Sequence, residues 1–311
     1  MGNMEDNDKT SNIDSQLAGR VLKNRVLLYA IVFRLPLFVM TKRNCVINAY
    51  PSTYFDNLKW IKNEEEEDDE EEEQRAVENG VDKKEKEKEK EKQEKQEKED
   101  DVNLYRELRL VKDIHFISPI NSFCWSRKKV RYISGGFIVR FDFKMGKHPL
   151  KYNDGPPADG FAFVIHNDPR GTDTVSRLYY GGSGLGYSGI TASIAVEFDD
   201  FKYNDDPNDN HIAIHTNGTD LNNSEQKYAL TYASPSFKLC DFKYHQVEII
   251  YEPIGQQLTV IVDHDEVINH NIDINDTIGI GEDDSAFVGF TSACGEFTQN
   301  VFIKNCSIYR Y

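Results

Sequence analysis

Residues 195–212, AVEFDDFKYNDDPNDNHI, bring six carboxylates, three amides and one imidazole into a single strand-to-loop transition. Ala195, Val196 and Phe198 have the apolar character of a strand, and Glu197 and Asp199 stand two apart. Two-residue spacing places both carboxylates on one face of an extended strand. Asn204, Asp205, Asp206, Asn208, Asp209 and Asn210 then crowd a turn around Pro207. Oxygen donors of this kind suit a hard cation such as Ca2+, and neutral imidazole from His211 makes a second position suited to Mn2+ or a similar metal. The alternative is a solvated acidic loop, which is common in a chain of formal net charge -16.

Two further stretches carry possible chemistry. Residues 158–163 read ADGFAF and residues 181–190 read GGSGLGYSGI. Taken alone, the first is a turn, and the second suggests a phosphate cradle. The cradle fails on context, because no Lys follows in the required G-K-[ST] form and the run leads into the strand-like SIAVEF, where a helix N-terminus is needed.

From about residue 104 to 311 the chain alternates short β-rich runs with Gly, Pro, Asn and Asp, which predicts an all-β antiparallel sandwich. Strands are predicted at 136–144, 160–166, 193–198, 211–215, 246–251, 257–263, 286–291 and 301–309, with a hairpin around residues 253–256 in which Gly255 supplies the turn. Four segments are expected: an N-terminal segment at 1–49, a first strand of the sandwich at 50–62, a disordered Glu/Lys-rich insertion at 63–103, and the sandwich proper at 104–311. Tyr54 to Ile61 has the aromatic content of an edge strand. The charge is local: residues 64–101 hold 21 acidic residues against nine Lys and Arg, so -12 of the formal -16 sits there and -4 is left for the rest. A loop tolerates such an insertion because closure entropy grows only logarithmically with length. No nucleic-acid partner is expected.

The five cysteines, Cys45, Cys124, Cys240, Cys294 and Cys306, form no C-x-x-C pair, and an odd number prevents full internal pairing. Cys294 with Cys306 is the pair to test first. N-x-S/T triplets at Asn217, Asn222, Asn275 and Asn305 matter only in a secreted chain. The apolar run at 26–40 follows basic residues as a signal would, yet Arg34 and Pro36 interrupt it, and its 15 residues are short for a membrane span. Secretory and cytoplasmic residence both stay open, as does membrane association.

In order along the chain, ADGFAF, GGSGLGYSGI and the cluster at 197–211, followed by YEPIGQQLTVIVD at 251–263 and AFVGFTSACGEF at 286–297, resemble a legume-type (L-type) lectin domain of the concanavalin A-like jelly-roll class. The resemblance implies a carbohydrate-binding, non-catalytic protein that holds Ca2+ and Mn2+ (or another transition metal). By position, Glu197 and His211 bind the Mn2+-type ion, Asp199 and Asp206 bridge both ions, and the Phe201 carbonyl serves Ca2+. The family's Ca2+ and sugar Asn, four residues after the first Asp, falls on Tyr203, with Asn204 one later. Asp159, preceded by a cis peptide in the family, accepts sugar hydroxyls; Gly182 supplies the backbone N–H; and Phe201 stacks on the sugar. Glycans or glycoproteins are the implied partners. Weak binding per site makes a homo-oligomer useful. A protein-interaction module with a degenerate site is the alternative, motivated by Tyr203. A glycoside hydrolase of the same superfamily needs E-x-D-x-E or E-x-D-x-x-E, and Phe201 and Lys202 occupy both places for the third acid.

Overall fold

The computed structural model describes residues 38–41, 45–50, 59–61, 107–113, 119–147, 155–174, 176 and 181–311. In chain order the strands are β1 (Phe38–Val39), β2 (Cys45–Tyr50), β3 (Lys59–Ile61), β4 (Glu107–Val111), β5 (Ile120–Ser126), β6 (Val130–Arg131), β7 (Phe137–Gly146) and β8 (Gly160–His166). They continue with β9 (Ser193–Asp199), β10 (His211–Thr216), β11 (Ala229–Ala233), β12 (His245–Glu252), β13 (Gln257–Val262) and β14 (Asp265–Asn271), then a one-turn helix α1 (Ile274–Ile278), β15 (Ser285–Cys294) and β16 (Asn300–Arg310).

The strands form two antiparallel sheets packed face to face. One runs β14-β13-β12-β7-β16-β4-β3, with β1 also pairing β16; the other runs β11-β10-β9-β8-β15-β5-β2, with β6 also pairing β15. Alternation drives the packing: on β7, Phe137, Val139, Phe141 and Phe143 are buried in the inter-sheet core, while Arg140, Asp142 and Lys144 on the other face are half-buried. Phe161 of β8 stacks on Phe198 of β9 with centroids 4.6 Å apart, and Phe141 meets Phe290 of β15 edge-on at 5.0 Å. This aromatic layer ties β8, β9 and β15 into one rigid platform.

The sandwich starts earlier in the chain than the predicted first strand at 50–62. β2 pairs β5 across six residues, five of them before residue 50, and β1 pairs β16, so both sheets recruit residues from the segment 1–49. At the end of the 26–40 run Met40 is buried in the core, while Val39 beside it is 40% exposed. β3 is an edge strand on β4. Residues 26–37 and 54–58, and the predicted insertion at 63–103, lie outside the described residues. Among the described residues no helix is long and apolar enough to cross a membrane.

Other differences have local causes. β5 is buried along its whole length although it contains Asn121, Ser122 and Ser126, so no alternation marks it. β14 is an edge strand with Ile268 as its one buried residue, too polar to register as a strand. In the β12–β13 turn the left-handed residue is Gln256, at φ 50°, and not Gly255. All five cysteines are free; Cys294 Sγ donates to the Ala158 carbonyl at 3.3 Å in place of the predicted pairing with Cys306.

Candidate metal centre and ligand site

β9 sends Ile194, Val196 and Phe198 into the inter-sheet core, so Ala195, Glu197 and Asp199 face the other way. Register then decides their neighbours. Glu197 lies between Ala162 of β8 and Ala213 of β10, and Asp199 lies between Gly160 and His211. Small residues on both sides leave the Glu197 carboxylate room. The 181–190 loop covers this face: Leu185, Tyr187 and Ile190 pack with Phe123, Trp125, Ala162, Val164 and Ala195 as a second, smaller apolar cluster.

Glu197, Asp199 and His211 are buried, with ligand atoms all within 4.8 Å of one another. The His211 Nδ1 faces the Asn208 carbonyl at 3.0 Å, which assigns its proton to that nitrogen and leaves Nε2 as a lone pair. That Nε2 is buried without a hydrogen bond and lies 3.4 Å from Glu197 Oε1. Tyr187 donates its hydroxyl to Glu197 Oε2 at 2.6 Å. Burial opposes ionisation of Glu197, and the His215 imidazole, with Nε2 2.9 Å from Oε1, outweighs it and holds the Glu197 pKa below the usual carboxylate range. Asp199 is the reverse: burial, then the Glu197 and Asp206 charges, push its pKa well up. An orphaned imidazole nitrogen facing crowded carboxylates is a donor set that fits a divalent cation, whose charge cancels the repulsion.

At the neighbouring end of β8 the peptide between Ala158 and Asp159 is cis. Asp159 Oδ2 accepts the Gly295 N–H at 2.9 Å. Gly182 presses against the same carboxylate so closely that a Cβ there would fall 1.6 Å from Oδ2, which only glycine permits. Burial, then Asp200, push the Asp159 pKa up to about 7 against the pull of the Gly295 N–H.

A model of the legume lectin domain matches residues 115–310. The chain belongs to the legume lectin domain family. Among solved structures, lectin I from Ulex europaeus, in complex with the methyl glycoside of alpha-L-fucose, matches with a TM-score of 0.50 at 20% identity, over 65% of this chain and 85% of that one. Basic winged bean lectin with Tn-antigen gives 0.49 at 23% identity, over 65% and 85%. The exoplasmic/lumenal domain of VIP36, in its Ca2+/Man3GlcNAc-bound form, gives 0.49 at 15%, over 67% and 79%. At such identities the Ulex europaeus likeness is one of fold.

Within this legume lectin domain the predicted residues divide. Glu197, Asp199 and His211 come together, and Gly182 meets Asp159. Asp206 lies on the following loop, outside the compact group: its Oδ2 accepts the Tyr203 N–H at 2.7 Å and its N–H returns to the Tyr203 carbonyl at 3.0 Å. Burial and the Glu197 charge still raise its pKa. Phe201 is half-buried, its ring 5.7 Å from that of Phe297, and its N–H donates to Asp199 Oδ1 at 2.8 Å. Asn204 is exposed, with φ 45°, and Tyr203 is 50% exposed. Sequence reasoning passed over Tyr187, His215 and Gly295. His215 alone had a signal, since HIAIH repeats histidine at an even spacing and so on the same face of β10.

Proposed function

We propose that this chain is a carbohydrate-binding lectin whose sugar site is centred on Asp159 and ordered by a neighbouring pair of cations, and that it performs no catalysis. The observation that carries the reading is the Asp159 carboxylate: buried, and hemmed by the backbones of Gly182 and Gly295 beside a cation-sized group. An ionised Asp159 accepts hydrogen bonds from two hydroxyls of a pyranose, and its charge strengthens both. Lectin I from Ulex europaeus, whose fold this chain shares, is in complex with the methyl glycoside of alpha-L-fucose. That supports glycans as partners here.

Glu197, Asp199, Asp206 and His211 would hold the Mn2+-type ion, and Asp199, Asp206, the Phe201 carbonyl and Asn204 would hold Ca2+. When bound, the ions supply positive charge that keeps these carboxylates ionised and orders the loop beside Asp159. Hydrolysis has no support: Glu197 is 2% exposed, with Oε2 already accepting from Tyr187, so it is closed to a glycosidic oxygen.

A glycan array in Ca2+ and Mn2+, repeated in chelator and with Asp159→Asn and Gly182→Ala, tests the reading. Signal is expected only with the ions and the unaltered protein. In parallel, ions at 100 times Kd are expected to stabilise the fold by about 2.7 kcal/mol, a shift lost in Asp199→Ala. Glycan binding indifferent to chelator and to Asp159→Asn overturns the proposal.

A further inference from the structure

We infer that Tyr187 and His215 are positioning residues for Glu197, and that through Tyr187 a bound cation orders the glycine loop that presses on Asp159. The inference rests on the metal reading above. Each oxygen of Glu197 is approached by a different neighbour. Oε2 takes the Tyr187 hydroxyl at 2.6 Å, while the His215 Nε2 lies 2.9 Å from Oε1, on the other side of Ala213 from His211. His215 stands outside the compact Glu197, Asp199 and His211 group, so it acts on the carboxylate and not as part of that group. Its ring is fully buried and anchored at Nδ1 by the Asn223 carbonyl at 3.1 Å. The Asn223 backbone is set in turn: its N–H donates to Asn222 Oδ1 at 2.9 Å, and the Asn222 amide donates to Ser193 Oγ at 3.1 Å. Partners of this kind fix the orientation of a liganding carboxylate and aim its remaining lone pairs toward the ion.

Tyr187 adds a second consequence because of where it sits. It belongs to the same tight turn as Gly182: the Leu185 N–H donates to the Gly182 carbonyl at 2.9 Å and the Tyr187 N–H to the Gly184 carbonyl at 3.1 Å. Gly182 at one end touches Asp159, and the Tyr187 hydroxyl at the other end holds Glu197. Six residues of hydrogen-bonded turn, 182–187, therefore join the two sites. A cation that fixes Glu197 fixes the phenol, and the phenol fixes the turn. Removing the hydroxyl cuts this connection while the ring keeps its place in the apolar cluster with Leu185 and Trp125.

The test uses the full chain stripped of metal and titrated with Mn2+, comparing wild type with Tyr187→Phe and His215→Gln. Both variants are expected to bind Mn2+ 10- to 100-fold more weakly, the range typical for loss of such supporting contacts. Hydrogen exchange at saturating Mn2+ separates the roles. In wild type and His215→Gln, Mn2+ is expected to slow exchange at residues 182–187. In Tyr187→Phe that slowing is expected to disappear while the slowing at β9 and β10 persists. A residue that served stability alone would lower Tm without metal and leave Mn2+ affinity and the exchange response unchanged; that outcome overturns the inference. Exchange at 182–187 that ignores Mn2+ in wild type overturns the coupling. If wild type binds no Mn2+, the metal reading itself fails; if it binds and both variants match it, only the positioning roles fail. Denaturation of either variant before titration is checked by circular dichroism, and the wild-type exchange response remains decisive in that case.

Discussion

Strand β8 has a buried aspartate near each end, and the fold treats the two oppositely. Asp168, past its C-terminal end, is answered by this chain's own donors. Its Oδ1 accepts the Arg170 N–H at 2.9 Å and Nε at 2.8 Å, and its Oδ2 accepts Arg170 Nη2 at 2.6 Å and both the N–H and hydroxyl of Thr191 at 2.9 Å. Burial raises its pKa, and these five bonds outweigh burial and hold it well below the usual carboxylate range. Asp159, just before the strand, has one backbone donor and carboxylates for neighbours, and its pKa rises to about 7. A buried carboxylate saturated from within is a piece of structure. One pressed against its own kind is complete only with something from outside, which on the function proposed above is a cation and a ligand.

The largest expected effect that tests this contrast is on pH. Asp159 has a folded pKa of about 7 against an ordinary 3.8, so in metal-free protein its contribution to stability is fully present below pH 3.8 and is lost as pH rises through 7. That swing is on the order of 4 kcal/mol. Asp168 runs the other way: its contribution is present above the unfolded value near 3.9 and is lost as pH falls through its depressed folded pKa. Urea midpoints of metal-free protein between pH 4 and 8 should fall with rising pH, and Asp159→Asn should flatten the slope. An unchanged slope in that variant removes Asp159 as the cause. Next in size, Asp168→Ala should cost about 3 kcal/mol at pH 7 with or without metal, because it leaves the Arg170 guanidinium without the carboxylate that holds it. Calorimetry that shows metal restoring the loss would merge the two sites and end the contrast. Smallest is Asn204→Gly. Its exposed left-handed backbone suits glycine, so metal-free stability should stay within about 0.5 kcal/mol of wild type while Ca2+ affinity falls. Calorimetric titration with an unchanged Ca2+ Kd would leave the Ca2+ position without Asn204.

Much of the centre was readable from the chain because its information is local. Glu197 and Asp199 alternate with residues that must go to the core, so their shared face follows from the two-residue period alone. His211 follows on the next strand, paired directly with Asp199. The strands at 160–166 and 257–262 were legible for the same reason, apolar runs bounded by turn residues. β5, β11 and β14 were not, since a strand that is buried throughout or exposed at a sheet edge loses the alternation that marks it. The early start of the sandwich was hidden for a related reason: β1 is two residues long and means nothing until β16 lies beside it.

Composition and periodicity thus settle which side chains share a face, because the pleat of one strand enforces it. They do not settle which faces meet. His215 reaches Glu197 only because β10 runs antiparallel to β9 with Ala213 opposite the glutamate, and Gly295 reaches Asp159 only because β15 ends beside the start of β8. Tyr187 comes over the same carboxylate because its loop has an apolar patch on the sheet to cover. Those contacts join residues from 10 to 136 positions apart, and they depend on register and packing between elements, which no local pattern carries.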